Sequence, residues 1–115
     1  MKPNDTYKNK QILINDVQKI FSYPIRDVKR LGNTDIVILD IPQNDNTIDN
    51  LYAVNNRGEI IWRSQPLKEI YPTEKLLPYE QIIIKDQEIR AIDFYGRCYF
   101  INPNDGMILK RIIYK

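Results

Sequence analysis

A short pattern occurs twice in this chain and limits how it can fold more than any other feature. Tyr52-Ala53-Val54-Asn55, then Gly58 and Ile60-Ile61, returns as Tyr99-Phe100-Ile101-Asn102, Gly106 and Ile108-Leu109. Both copies read as an aromatic strand, a turn in which glycine takes positive φ, and a β-branched return strand. The closing hairpin of a propeller blade is written in this way. A propeller needs about four to eight blades to close. Two copies must instead bury their apolar faces on each other or on a second subunit.

The segments around the repeat extend each copy to four strands. Residues 25–31 and 35–41 precede the first hairpin, with Gly32-Asn33 as a turn between them. The run Ile36-Val37-Ile38-Leu39 is continuously apolar and β-branched, as expected for a strand placed centrally in a sheet. Residues 81–85 and 89–94 precede the second hairpin, turning at Asp86-Gln87. Between the copies, Pro66, Pro72 and Pro78 make residues 64–79 a poor helix and a poor strand. Residues 12–21 read both ways: Leu13, Val17, Ile20 and Phe21 fit helical spacing, and Val17, Lys19 and Phe21 fit alternation. Pro24 stops a helix from running through.

The expected fold is all-β, with two tandem four-stranded antiparallel, propeller-blade-like meanders packed as a small sandwich. A short N-terminal helix or turn falls before Asp16. One domain spans residues 1–115, divided into a lead-in (1–16), a first meander (17–63), a Pro-rich connection (64–79) and a second meander (80–115).

Composition then narrows the function. The chain has no histidine, which removes the commonest general base, the commonest metal ligand and every Ser-His or Cys-His nucleophile. Its net charge is only +2, and basic residues alternate with acidic ones outside the Lys2, Lys8, Lys10 and Lys19 stretch. This pattern argues against nucleic acid as a partner. No apolar run approaches a membrane span, and the single cysteine, Cys98, argues for no disulfide, so the expected location is cytoplasmic.

Candidate chemistry is sparse. Asp45 and Asp49 share a loop but lack the glycine and terminal Glu of an EF-hand, so the loop reads as polar connection and no metal is expected. Asp40, Glu59, Asp86, Glu88 and Asp93 fall at strand ends or turns, where acids are ordinary. No catalytic residue or cofactor is expected. Cys98 reads as a buried small hydrophobe. Trp62 reads as a core edge before it reads as a ligand platform, while Tyr71, Tyr79 and Tyr95 fall in loops and turns that suit an interface.

Four stretches carry a family resemblance: Phe21 to Val28, Asp35 to Pro42, Asn50 to Trp62 and Asp93 to Gly106. Together they resemble small bacterial all-β proteins that look like immunity partners of polymorphic or contact-dependent toxins. The resemblance runs from about Val17 to the C-terminus and leaves the lead-in outside it. It implies a protein that occludes a toxin domain. Arg57, Trp62, Leu67, Tyr71, Tyr79 and Tyr95 are then the expected partner-binding residues. Two alternatives stand beside it: a sugar- or peptide-binding module using Trp62 or Tyr95, and a structural subunit of a homodimer or larger assembly.

Overall fold

A computed structural model describes residues 5–113 as eleven strands in three antiparallel sheets. The N-terminal sheet holds β1 (Asp5–Lys8), β2 (Gln11–Ile14) and β3 (Val17–Ile20). The middle sheet holds β4 (Ile25–Leu31), β5 (Thr34–Leu39), β6 (Leu51–Val54) and β7 (Ile60–Arg63). The C-terminal sheet holds β8 (Tyr79–Lys85), β9 (Glu88–Asp93), β10 (Arg97–Ile101) and β11 (Ile108–Ile113). Within each sheet the strands lie in chain order, so every connection inside a sheet is a hairpin or a loop between neighbours.

Both four-stranded units appear where the sequence put them, but the N-terminal third sheet corrects two expectations. Residues 11–14 are a strand and not a helix, and β3 pairs with β2 and not with the first meander. Residues 1–4 of the expected lead-in lie outside the described residues. The reason is local. Asn15 and Asp16 both take positive φ (47° and 67°), the geometry of a two-residue hairpin turn that Asn and Asp tolerate. Alternation then buries Ile12 and Ile14. Leu13, Val17 and Ile20, which supplied most of the helical spacing, are the exposed set.

The middle sheet has no solvent face along β5 and β6. Ile36, Ile38, Leu51 and Ala53 point to the C-terminal sheet and meet Ile82, Ile89, Ala91, Tyr99 and Ile101. Val37, Leu39 and Val54 point the other way, into Ile12, Ile14, Phe21 and Ile25. Burial on both faces explains the unbroken apolar run of β5.

Two polar contacts fasten the middle sheet to the C-terminal one. Buried Asn50 donates its amide to the carbonyls of Leu39 (2.7 Å) and Tyr79 (2.9 Å), and its Oδ1 accepts the Tyr79 N–H (2.8 Å). Trp62 donates its indole N–H to the Pro103 carbonyl at 2.9 Å. The Trp62 ring lies so close to Gly106 that a Cβ there would sit 2.6 Å from Cε3. The Pro-rich connection contributes one 3-10 turn, Leu67–Glu69, and buries Leu67 completely.

Gly106 also has φ +78°, so a side chain is excluded twice. Gly106→Ala should cost about 2–4 kcal/mol, read as a lower urea midpoint at unchanged m-value. Asn104→Ala, in the same turn and exposed, should stay within about 0.5 kcal/mol of wild type.

Candidate interaction surface

Two turns in this protein have the same construction and carry different side chains. In the β6–β7 turn, Asn55 Oδ1 accepts the N–H of Arg57 (2.9 Å) and of Glu59 (3.0 Å), and Gly58 N–H returns to the Asn55 carbonyl (3.1 Å). In the β9–β10 turn, Asp93 Oδ1 accepts the N–H of Tyr95 (2.9 Å) and of Arg97 (3.0 Å). Gly96 N–H there returns to the Asp93 carbonyl (3.0 Å). Gly58 and Gly96 close the two turns at φ +77° and +80°. Both turns are Asx-type, in which a short polar side chain replaces the backbone acceptor. The first presents Asn56 and Arg57, and the second presents Phe94 and Tyr95.

The turn geometry therefore does not require the aromatics. Phe94 is 74% exposed and Tyr95 52% exposed, with ring centroids 6.3 Å apart. Water is an unfavourable place for a Phe side chain, and burying one is worth about 1.5–3 kcal/mol. Leu109, Ile112 and Ile113 on β11, the outer edge strand of the same sheet, are also exposed. Ile113 pairs with Arg97, the residue that closes the aromatic turn.

Behind the turn lies a charged lattice that holds it still. Asp93, whose side chain is fully buried, accepts the Arg97 Nε–H at 2.7 Å. Arg97 also donates to Glu74 (3.2 Å) and to the Lys75 carbonyl (2.9 Å), and its guanidinium lies 5.3 Å from the Tyr95 ring centroid. Glu74 takes a bidentate pair of bonds from Arg111 at 2.6 and 3.0 Å. Arg111 in turn lies 4.0 Å over the Tyr71 ring, and Tyr71 meets Tyr99 edge-on at 6.0 Å. These bonds pin the Pro-rich connection onto the C-terminal sheet.

On the outer face of that sheet, Phe100 is flanked by the cations of Arg90 (4.9 Å) and Lys110 (4.5 Å), above buried Ile92 and Cys98. Both cations sit over the ring, and Arg90 is also paired with Glu88 at 2.8 Å.

The six expected binding residues divide sharply. Leu67 is fully buried and Tyr79 is 1% exposed, so neither can reach a partner; the desolvated Tyr79 hydroxyl has its pKa pushed well up. Trp62 belongs to the joint between sheets and offers no open ring face as a platform. Tyr71 is half-buried inside the lattice, Arg57 is exposed on the twin turn, and Tyr95 is on the aromatic turn. Tyr71 and Tyr95 are thus joined through Arg111, Glu74 and Arg97, and Arg57 stands apart on the middle sheet.

Sequence reasoning passed over Phe94. The available signal was the shared (Asn/Asp)-x-x-Gly spacing of Asn55–Gly58 and Asp93–Gly96, which isolates Phe94 and Tyr95 as unexplained.

The loop carboxylates are accounted for locally. Asp45 accepts the Tyr23 hydroxyl (2.7 Å) and the Thr47 N–H (2.8 Å), and its pKa falls below the usual range through Thr47 and Tyr23. Asp49 accepts the Leu67 N–H at 3.0 Å. Among the described residues no three acids or cysteines gather as a metal site, and no helix is long and apolar enough to cross a membrane. A family model described as a domain of unknown function (DUF7957) matches residues 3–112. No curated protein matches the chain.

Hydrogen bonds from Arg111 hold the Glu74 pKa below its ordinary 4.5. Its stabilising contribution is complete above pH 4.5 and is lost as pH falls through the lowered value. Glu74→Gln should lower the urea midpoint at pH 7, and the two proteins should converge in strong acid. A gap that persists undiminished in acid would show that Glu74 acts through packing and not charge.

Proposed function

The chain belongs to the DUF7957 family, and we propose that it serves as a non-catalytic protein-binding module whose contact surface is centred on Phe94 and Tyr95. One observation carries this reading. The same Asx turn is built twice, and only the copy on the C-terminal sheet spends exposed aromatic area that its fold does not use. Aromatic anchors on a backbone already held in place are what interface hot spots are made of, because little entropy remains to be lost on binding. Exposed Ile113, paired with Arg97 at the base of the turn, adds apolar surface beside it.

The resemblance to immunity proteins supports a toxin domain as the partner. Such a partner would be neutralised by occlusion, with about 800 Å² buried on each side. Charge complementarity around the aromatic centre would set the association rate and select the cognate partner.

Copurification with the product of the adjacent gene, expressed together with this protein, tests the reading. Phe94→Ala with Tyr95→Ala should weaken the complex by at least about thirtyfold, the effect of losing a hot spot of about 2 kcal/mol. Arg57→Ala on the twin turn should leave it unchanged. Equal binding by the double variant and wild type would exclude this surface.

A second reading, self-association, is favoured by β11 alone. An edge strand exposing Leu109, Ile112 and Ile113 invites pairing with a second copy. Sedimentation would then give a dimer that Ile112→Lys disperses, and a monomer at all concentrations would remove this alternative.

A further inference from the structure

A cleft of about 370 Å³ opens between the N-terminal and middle sheets, and its lining contains Lys19 and Arg63 but no acidic residue. Its size is within the range of small-molecule sites. Five of the seven arginines, Arg26, Arg30, Arg90, Arg97 and Arg111, each hold a carboxylate. Among the described residues, exposed Arg57 and cleft-lining Arg63 make no such ion pair. The Arg63 Nε and Nη2 donate to the backbone carbonyls of Asp49 (2.8 Å) and Ile48 (3.1 Å), and its guanidinium lies 5.4 Å from the Tyr52 ring centroid. The Asp49 carboxylate is directed instead to the Leu67 N–H.

Lys19 is the second such charge in the cleft. It pairs across β2–β3 with buried Ile12, which places it on the face of the edge strand that turns toward the middle sheet. Among the described residues no carboxylate pairs with it. Two cations thus line one cleft whose lining holds no carboxylate, and the guanidinium is held in a fixed orientation; the acids beside the cleft, Asp49 and Asp45, are bonded to the Leu67 and Thr47 N–H groups. A fixed guanidinium with donor capacity to spare is the usual receptor for carboxylate or phosphate oxygens.

The rest of the lining is mixed, with Ser22, Tyr23 and Thr47 polar and the others apolar or aromatic. Phe21 and Tyr52 pack at 5.4 Å, and Ile20 and Ile60 are exposed at 64% and 41%. We propose that this cleft binds a small amphiphilic anion, with its carboxylate or phosphate between Arg63 and Lys19 and its hydrocarbon body against Ile20, Ile60 and the Phe21–Tyr52 pair. Nothing in this site is shared with the aromatic turn, so the two activities fail or stand separately.

Titration of phenyl phosphate, benzoate and neutral benzyl alcohol, followed by amide NMR shifts, tests it. Phenyl phosphate or benzoate should give saturable shifts at residues 19–23, 52 and 63, and the stronger of the two identifies the head group preferred. Benzyl alcohol should be weaker by at least about tenfold, the value of one charge-assisted hydrogen bond. Lys19→Gln should weaken the anion by about tenfold while the amide spectrum stays dispersed. Arg63→Lys keeps the charge but loses the fork, and should weaken it by a similar factor. Equal shifts from the alcohol and the anions would overturn the proposal. So would unchanged affinity in Lys19→Gln, or an absence of saturable shifts in the cleft.

Discussion

The burial of β5 and β6 on both faces is the constraint on which the other elements depend. Four consecutive residues, Ile36 to Leu39, are at most 3% exposed, and Leu51, Ala53 and Val54 beside them are fully buried. Each large side chain among them contributes about 1.5–3 kcal/mol only if a layer covers it. The middle sheet therefore requires two neighbours. The C-terminal sheet supplies one face and the short N-terminal hairpins supply the other. Two buried polar residues at the ends of these strands are held by partners. Asp35, 1% exposed at the head of β5, is held by Arg30 at 3.3 Å, and Asn50 is bonded on both of its amide atoms.

Three layers impose an asymmetry on the surface. The C-terminal sheet uses only one face for the shared core, so its outer face, edge strand and β9–β10 turn all meet solvent. On the outer face, Arg90 and Lys110 shield Phe100. On the turn Phe94 meets the Tyr95 ring and stays 74% exposed. The contrast within one sheet is informative, because it shows that apolar area here is coverable by neighbouring side chains where the fold covers it at all.

Much of the fold could be read from residues because the middle and C-terminal strands repeat one grammar: β-branched runs, Asn or Asp, then glycine. The N-terminal sheet could not be read this way. Its apolar residues occupy both faces of short strands, so Leu13, Val17 and Ile20 supplied a helical period by chance while Ile12 and Ile14 did the packing. The site was legible only in part for a related reason. Tyr79 follows Pro78 and looks like a loop residue, yet it begins β8 and fills the core. Glu74, Arg97 and Arg111 are far apart in sequence and form a lattice only after the Pro-rich connection folds back, which no local pattern encodes.

The aromatic turn also explains the expense of that lattice. Exposed surface ion pairs contribute little by themselves, yet here a fully buried Asp93 carboxylate is committed to three bonds around a turn whose tip is largely exposed. The twin turn achieves the same backbone with neutral Asn55 and no buried charge. Asp93 and Arg97 therefore add something other than the turn itself. They fix the orientation of Tyr95 through the guanidinium beneath its ring and couple it, by way of Glu74, to the edge strand at Arg111. With Arg97 packed against its ring, Tyr95 has little conformational freedom left, so ordering it against a second surface would cost little entropy.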